Sequence, residues 1–339
     1  MSEHATAVCL NAPQAPITLN NIGVRDPGPG EARMRMEACG ICHSDVMIAG
    51  LQSLPLAPLV LGHEGIGVVE AVGEGVTQVA VGDRAGITYL ASGCGKCDAC
   101  RMGRERFCLR QQNHGYTRHG AMTTKGLVAA QNLIRVPDGL DAVEAAPLCC
   151  AGWTAYGALR EAGLQSGQLL AVFGMGGLGH LAVRYALHQG LRVAAVDVSA
   201  EKLELAKRMG AEAVCTVEDS RKVIGKEMGG ADGAIVFTAS AMAVPAAFAT
   251  LKRCGSLILV GMTIDKFSIS ITEAVLKGIR IQGSYLGTRA DLEAVFALAL
   301  QGVGKPEVHA HAVEEAPELI GKLKAGQIVG RAVIRFGAS

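Results

Sequence analysis

The chain lacks a surplus of charge of either sign. Thirty-two Lys and Arg stand against 31 Asp and Glu, a net charge of +1. A nucleic-acid or membrane-surface partner, which needs a field of one sign, is therefore not expected. It also lacks an export segment: the opening MSEHATAVCL carries an acid and a histidine and no apolar core of signal-peptide length. The expectation is a cytoplasmic protein. No run reads as a membrane span either. The one long uncharged stretch, 233–251, is mostly Ala and is broken by Thr238, Ser240 and Pro245, so it reads as a buried strand, a turn and a helix. Aromatic residues are few, with one Trp, five Tyr and seven Phe, while glycines number 44. Such a composition brings backbone close to something or packs helices tightly on a sheet.

What is present is apolar substance. Half of the 339 residues are hydrophobic, which excludes intrinsic disorder, and the length suggests two domains. Eleven cysteines are too sparse at this length for a small disulfide scaffold. Clustered, and without an export signal, they read as metal or catalytic sites.

The first half is strand-like and irregular, with Gly-Pro clusters at 27–30 and 55–58 between short segments such as 33–38 and 67–71. From about residue 165, short apolar runs alternate with helical stretches. The runs are 169–173, 193–196, 213–217, 234–238, 257–260 and 279–283, and a helical face at 200–209 carries Leu203, Ala206 and Met209. Six such runs fit a parallel, doubly wound α/β sheet covered on both faces. A helical segment, 290–300, follows, and the tail is expected to return to the first domain.

Directly after the first run comes Gly174-Met-Gly176-Gly177-Leu178-Gly179, and a helical stretch begins at His180. A bare GxGxxG is weak evidence in a chain this rich in glycine. Between a strand and a helix, and followed by Asp197 at the end of the second run, it is a strong dinucleotide signature. The glycines allow a tight turn and close approach to a pyrophosphate, and the helix N-terminus supplies amide donors. A carboxylate at Asp197 accepts ribose hydroxyls and repels a 2′-phosphate, which favours NAD over NADP.

Two groups of residues read as metal sites. Cys94, Cys97, Cys100 and Cys108 follow C-x2-C-x2-C-x7-C. Four thiolates in one loop can close on a tetrahedral ion and leave no open position, a structural zinc staple. An iron–sulfur cluster is the alternative, although its usual spacings differ. The second group is dispersed: Cys42 with His43, Ser44 and Asp45, then His63 with Glu64, then Cys150. Singly, each reads as a buried thiol or a core histidine. Together they offer the three soft ligands of a catalytic zinc that keeps one position open. Spacing does not prove that they converge.

GICHSD (40–45), GHEGIGVVEAVG (62–73), the four-cysteine lobe, LCCAGWTAY (148–156), the glycine loop and GQIVGR (326–331) occur in one order. In that order the chain resembles the zinc-dependent medium-chain alcohol dehydrogenases, most closely the microbial, NAD-linked type, from about residue 8 to 336. The resemblance implies a GroES-like, mainly-β catalytic domain (1–150 and 287–339) carrying both zinc sites and a Rossmann domain (151–286) carrying NAD.

It further implies Cys42, His63 and Cys150 as catalytic zinc ligands, with Cys39 and Cys149 as bystanders. Glu64 would lie behind the metal as an alternate ligand, and Asp45 would hydrogen-bond the distal nitrogen of His63. Thr154 and Val260 would contact the cofactor, Lys202 its ribose, and His43 and Arg331 its pyrophosphate. Ser44 would take the alcohol proton, and Ser44, Tyr89, Trp153 and Met262 would line the pocket. The family often ends its proton relay in a His three residues after the Ser, where this chain has Met47. The exit would then run through His43, water or the ribose, with slower deprotonation near neutral pH. The stretch 50–58 looks shorter than in the ethanol-oxidising relatives and lacks their tryptophans. That suggests a roomier pocket for medium primary, secondary or aromatic alcohols and their aldehydes or ketones.

Two other readings compete. An NADP-linked aldehyde reductase of the cinnamyl type is opposed by Asp197, and a non-catalytic, zinc-stapled dinucleotide-binding protein by the retention of all three ligands. A polyol dehydrogenase is opposed by the full cysteine lobe. By analogy the chain would form a homotetramer, with the apolar strand near 280–283 as the sheet edge that needs covering.

Overall fold

Side chains alternate across the strand Glu31–Gly40: Ala32, Met34, Met36 and Ala38 are buried and the residues between them only partly so. This period of two lays one face on a core with Leu59, Leu61, Val69, Ile87, Met122, Ile334 and Phe336. In the computed structural model, which describes residues 3–337, this strand is the hub of the first of two compact units. That unit runs up to Cys150 and resumes at Thr288–Gln301 and from Pro306 onward. Glu31–Gly40 pairs antiparallel with Glu64–Val72, with Lys125–Ala129 and, at its end, with Arg331–Arg335. Register matters here. Gly40 stands opposite both Glu64 and Val333, so the end of this strand meets the start of one neighbour and the C-terminal strand.

The second unit is Ala151–Gly287 with Gly302–Lys305. Compared with the expected division, Gly287 and the turn 302–305 lie with this unit. Its six strands are all parallel, in the order Ala213–Cys215, Arg192–Val196, Leu169–Phe173, Ala231–Val236, Leu251–Leu259, Arg280–Gly283. This is the Rossmann arrangement, and each of the six apolar runs in the sequence supplies one strand. Leu169–Phe173 is buried on both faces, as a central parallel strand covered by helices must be. The strand order reverses beside it, so a crevice opens at its carboxyl end.

Boundaries differ from expectation where polar turn residues intervene. The run at 213–217 is a strand only to Cys215, because Thr216 turns to Asp219. The strand at 251–259 begins six residues before its apolar run. The uncharged stretch divides into the end of Ala231–Val236, a turn, and the helix Ala243–Thr250. Among the described residues no helix is long and apolar enough to cross a membrane.

Candidate metal centres and dinucleotide loop

The four lobe cysteines lie in a stretch that turns back on itself through the short helix Asp98–Arg101 and the 3-10 turn Glu105–Phe107. Their sulfurs all lie within 4.8 Å of one another. The backbone amides of Cys94 and Arg110 each sit 3.4 Å from Cys108 Sγ. The amides of Lys96 and Cys97 pull the Cys94 thiol down to about 5. These amides stabilise Cys94 as a thiolate, while burial and the neighbouring thiols push Cys100 up to about 12. Four sulfurs this close fit a tetrahedral zinc with no open position.

The dispersed residues converge through the strand hub. Cys42 follows Glu31–Gly40 and caps the helix His43–Ala49, Glu64 begins the strand paired with it, and Cys150 follows the turn Ala146–Cys149. Ligand atoms of Cys42, His63, Glu64 and Cys150 lie within 4.8 Å of one another, all buried. Neither nitrogen of His63 has a hydrogen-bond partner, although the ring is fully buried. A buried unsatisfied imidazole costs about 1–3 kcal/mol, and ligation of a cation would remove that cost. The donor set therefore fits a zinc ion.

The charges within the cluster depend on one another. A hydrogen bond from Cys150 holds the Cys42 thiol well below its ordinary range, with His63 and Arg331 acting in the same direction. Burial presses His63 down, but Cys42, Asp45 and Glu64 together lift it to about 9. Burial raises Glu64 to about 8 against the opposing pull of Arg331.

Asp45 behaves differently from expectation. Its Oδ1 is 3.7 Å from His63 Nδ1, too far for a hydrogen bond. The carboxylate instead accepts the backbone N–H of Cys42 at 2.9 Å and of Gly62 at 3.1 Å. In the first turn of its helix it reaches back to the capping residue, and so ties together the two segments that carry Cys42 and His63. Arg331 is engaged within the first unit. It is 5% exposed, donates to the Ile41 carbonyl at 2.9 Å and pairs with Glu64. A buried carboxylate demands a cation, and the C-terminal strand delivers one.

Ser44 Oγ is 3.8 Å from Cys42 Sγ. His43 is exposed at the start of the same helix, and Met47 is 44% exposed. Tyr89 sets its ring edge-on to His63, with centroids 5.1 Å apart and planes at 80°.

In the second unit Gly174 (φ 95°) closes the turn after Leu169–Phe173. A Cβ on Gly179 would overlap the carbonyl oxygen of Gly174, so the helix Gly179–His188 packs on the turn only with glycine there. Asp197 is nearly buried and accepts the amides of Met175 at 2.6 Å and Ser199 at 2.9 Å. It braces the loop containing Gly176, Gly177 and Leu178, and each oxygen keeps a second lone pair. Lys202 lies in the first turn of Ala200–Arg208. Thr154 is buried with an unpartnered hydroxyl, and Trp153 is buried beside Gly287. Val260 follows the strand Leu251–Leu259, and Met262 is 54% exposed. The structure thus assembles three groups, namely the lobe, the Cys42–His63–Glu64–Cys150 cluster and the loop with Asp197. Thr154, Trp153, Val260 and Met262 stand on the second unit.

Comparison with known proteins places these groups in context. The profile of the alcohol dehydrogenase GroES-like domain matches residues 28–138, and that of the zinc-binding dehydrogenases matches 177–301. An alcohol dehydrogenase of Geobacillus stearothermophilus is 42% identical over 310 residues, 90% of this chain and 92% of the relative. The crystal structure of an alcohol dehydrogenase from the archaeon Aeropyrum pernix superposes with a TM-score of 0.88 at 31% identity, covering 98% of this chain and 100% of the other. An acetophenone reductase from Geotrichum candidum, solved in complex with NAD, gives a TM-score of 0.86 at 31% identity, covering 98% and 97%.

Proposed function

The chain belongs to the zinc-dependent medium-chain alcohol dehydrogenases, and from that membership we propose how its own residues divide the work and which cofactor they select. It is an alcohol dehydrogenase, interconverting alcohols with aldehydes or ketones, with zinc and a nicotinamide dinucleotide as cofactors. The observation that carries the site reading is the buried convergence of Cys42, His63, Glu64 and Cys150 around an imidazole with both nitrogens unsatisfied. Cys42, His63 and Cys150 hold the catalytic zinc, with Glu64 in reserve as a fourth donor, and the lobe cysteines hold the structural one. Bound there, the metal would supply Lewis acidity toward the alcohol oxygen, and a nicotinamide would supply the hydride acceptor.

The chain does the positioning. Asp45 locks the Cys42 and His63 segments together, and Arg331 offsets the charge of Glu64. Ser44, beside Cys42, takes the hydroxyl proton, and His43 on the same helix turn passes it to solvent. Met47 cannot carry a proton, so the exit rests on His43 and water. Tyr89 bounds the room left for the alcohol's carbon chain beside His63, and a single ring there leaves space for medium and aromatic alcohols. The glycine loop and the start of the helix Gly179–His188 seat the pyrophosphate, with Thr154 and Val260 as further cofactor contacts. Asp197 and Lys202 take the adenosine ribose. The Asp197 carboxylate repels a 2′-phosphate, which selects NAD over NADP.

All eleven cysteines are free, which suits a reducing cytoplasm. The edge strand Arg280–Gly283 has exposed residues, and the helix Ile271–Lys277 buries none of its own, with Ile271, Val275 and Leu276 all exposed. A second copy of this chain is the natural cover for that edge, the first step to a homotetramer.

The experiment is a ladder of alcohols from ethanol to benzyl alcohol and cyclohexanol, followed by nicotinamide absorbance with NAD and with NADP, before and after chelation. Chelator-sensitive reduction of NAD is the expected outcome. Preference for NADP would overturn the role given to Asp197, and turnover by Cys42→Ala at the wild-type rate would overturn the ligand assignment.

A further inference from the structure

The loop after the cysteine lobe reaches two residues that neighbour His63, Gly62 and Tyr89. Gly115 (φ 75°) packs on the carbonyl of Gly62, which precedes His63. The backbone N–H of His114 donates to the carbonyl of Tyr89 at 3.0 Å, the residue whose ring stands edge-on to His63. His114 itself is 1% exposed. Its Nδ1 lies 2.9 Å from the Thr88 carbonyl and its Nε2 3.2 Å from the Ala129 amide.

A carbonyl only accepts and an amide N–H only donates. Nδ1 must therefore carry the proton and Nε2 must be bare, which leaves one neutral tautomer able to satisfy both groups. Burial, reinforced by Arg118 and His63, presses this imidazole down to about 4, so it stays neutral throughout the working range. The two main-chain groups that it joins lie in different parts of the unit, one in a link between strands and one at a strand's end. Thr88 and Tyr89 link Arg84–Ile87 to Leu90–Ser92, and Ala129 ends Lys125–Ala129, which pairs with the hub strand Glu31–Gly40.

We infer that His114 is a positioning residue for the alcohol site. By clasping the Thr88 carbonyl and the Ala129 amide, it anchors the Tyr89 segment to the strand Lys125–Ala129 and holds Tyr89 edge-on to His63. Its identity thus sets the width of the space in which the substrate's carbon chain lies. The inference rests on the reading of Tyr89 as a pocket wall. Without the clasp, the turn at 88–89 loses the bond that fixes it to Lys125–Ala129, and the ring of Tyr89 gains freedom to move off His63. Small alcohols tolerate that movement, whereas bulky ones respond to it.

Three variants of the zinc-loaded enzyme separate the bonds. In His114→Asn the side-chain amide reaches the place of Nδ1 and keeps the Thr88 bond. In His114→Gln the side-chain carbonyl reaches the place of Nε2 and keeps the Ala129 bond. His114→Leu keeps neither. The readout is the ratio of kcat/KM for benzyl alcohol to that for ethanol, with zinc content and Tm as controls. Each variant breaks the clasp at one end or both, so all three are expected to move the ratio, by about fivefold for His114→Leu, the effect of roughly 1 kcal/mol. In a Tyr89→Ala background, His114→Leu should leave the ratio unmoved, because the side chain that it positions is gone.

A purely structural role would lower Tm and scale both alcohols alike. That result overturns the inference, as does an equal ratio shift with and without Tyr89. If His114→Leu does not fold, the Asn and Gln variants carry the test, and wild-type ratios in both overturn it. If Tyr89→Ala alone leaves the ratio at the wild-type value, the pocket reading fails and this inference falls with it. If Tyr89→Ala moves the ratio and His114→Gln does not, only the clasp is refuted.

Discussion

Replacing Asp45 tests whether one buried carboxylate holds the catalytic centre together. The side chain is fully buried, and it accepts the amides of Cys42 and Gly62 at 2.9 and 3.1 Å. Asp45→Ala strands both donors. A buried amide left without an acceptor costs about 1–3 kcal/mol, so the pair costs about 2–6 kcal/mol. That is a large share of the roughly 5–15 kcal/mol that holds a typical protein folded. Asp45→Asn keeps one oxygen and turns an NH2 toward the other donor, so it should lose about half as much. Loss of the tie also frees the Cys42 and His63 segments to separate, and zinc affinity at that centre should fall by about 10–100-fold. The assays are denaturant unfolding of the zinc-loaded protein and metal content after equilibration in a zinc buffer. The expected order is wild type, Asn, Ala, with the lobe zinc retained and the catalytic zinc lost. A wild-type unfolding midpoint for Asp45→Ala would refute the reasoning. So would loss of the lobe zinc in place of the catalytic one.

Three further predictions follow from other parts of the molecule. Gly179→Ala drives a methyl into the Gly174 carbonyl, so NADH binding, read by fluorescence, should weaken by at least about tenfold, or ~1.4 kcal/mol. Zinc content should not change, and unweakened binding would show that the loop does not need this close contact. His114 titrates near 6.5 when unfolded and about 4 when folded. The unfolded chain therefore binds a proton in that window that the folded chain excludes, and stability is lost as pH falls from about 6.5 to about 4. The loss is about 3 kcal/mol at most. His114→Asn should remove this contribution, visible as a flatter difference between unfolding free energies at pH 7 and pH 4.5; an unchanged difference would deny that His114 is buried neutral. Ile281→Lys on the edge strand should lower the mass measured by light scattering, and an unaltered mass would move the subunit contact elsewhere.

Some parts of this protein were legible without a structure, and the reason is locality. Cys94 to Cys108 lie in one short stretch whose turns bring four sulfurs together. The glycine loop is a turn between a strand and a helix, and Asp197 follows at the end of the next strand. Six apolar runs of strand length predicted six parallel strands, because a sheet covered on both faces needs continuous apolar segments. The family resemblance rested on the lobe, the glycine loop and the motifs at 40–45, 62–73, 148–156 and 326–331, and named Cys42, His63 and Cys150 as one set. What residue spacing by itself could not decide is whether they meet, since more than a hundred residues separate the first from the last. That was settled by strand register, which stands Gly40 against Glu64 and Val333 and so delivers Arg331 to a buried carboxylate. Helix capping commits the Asp45 carboxylate to the amides of Cys42 and Gly62 and leaves it 3.7 Å from His63. Nothing in the sequence marks His114, whose partners are the main-chain groups of Thr88 and Ala129, because main-chain donors and acceptors are common to almost every residue. The residues alone determined the chemistry available to this protein. Only the pairing of distant strands, driven by burial of the apolar faces, decided which buried groups must satisfy one another.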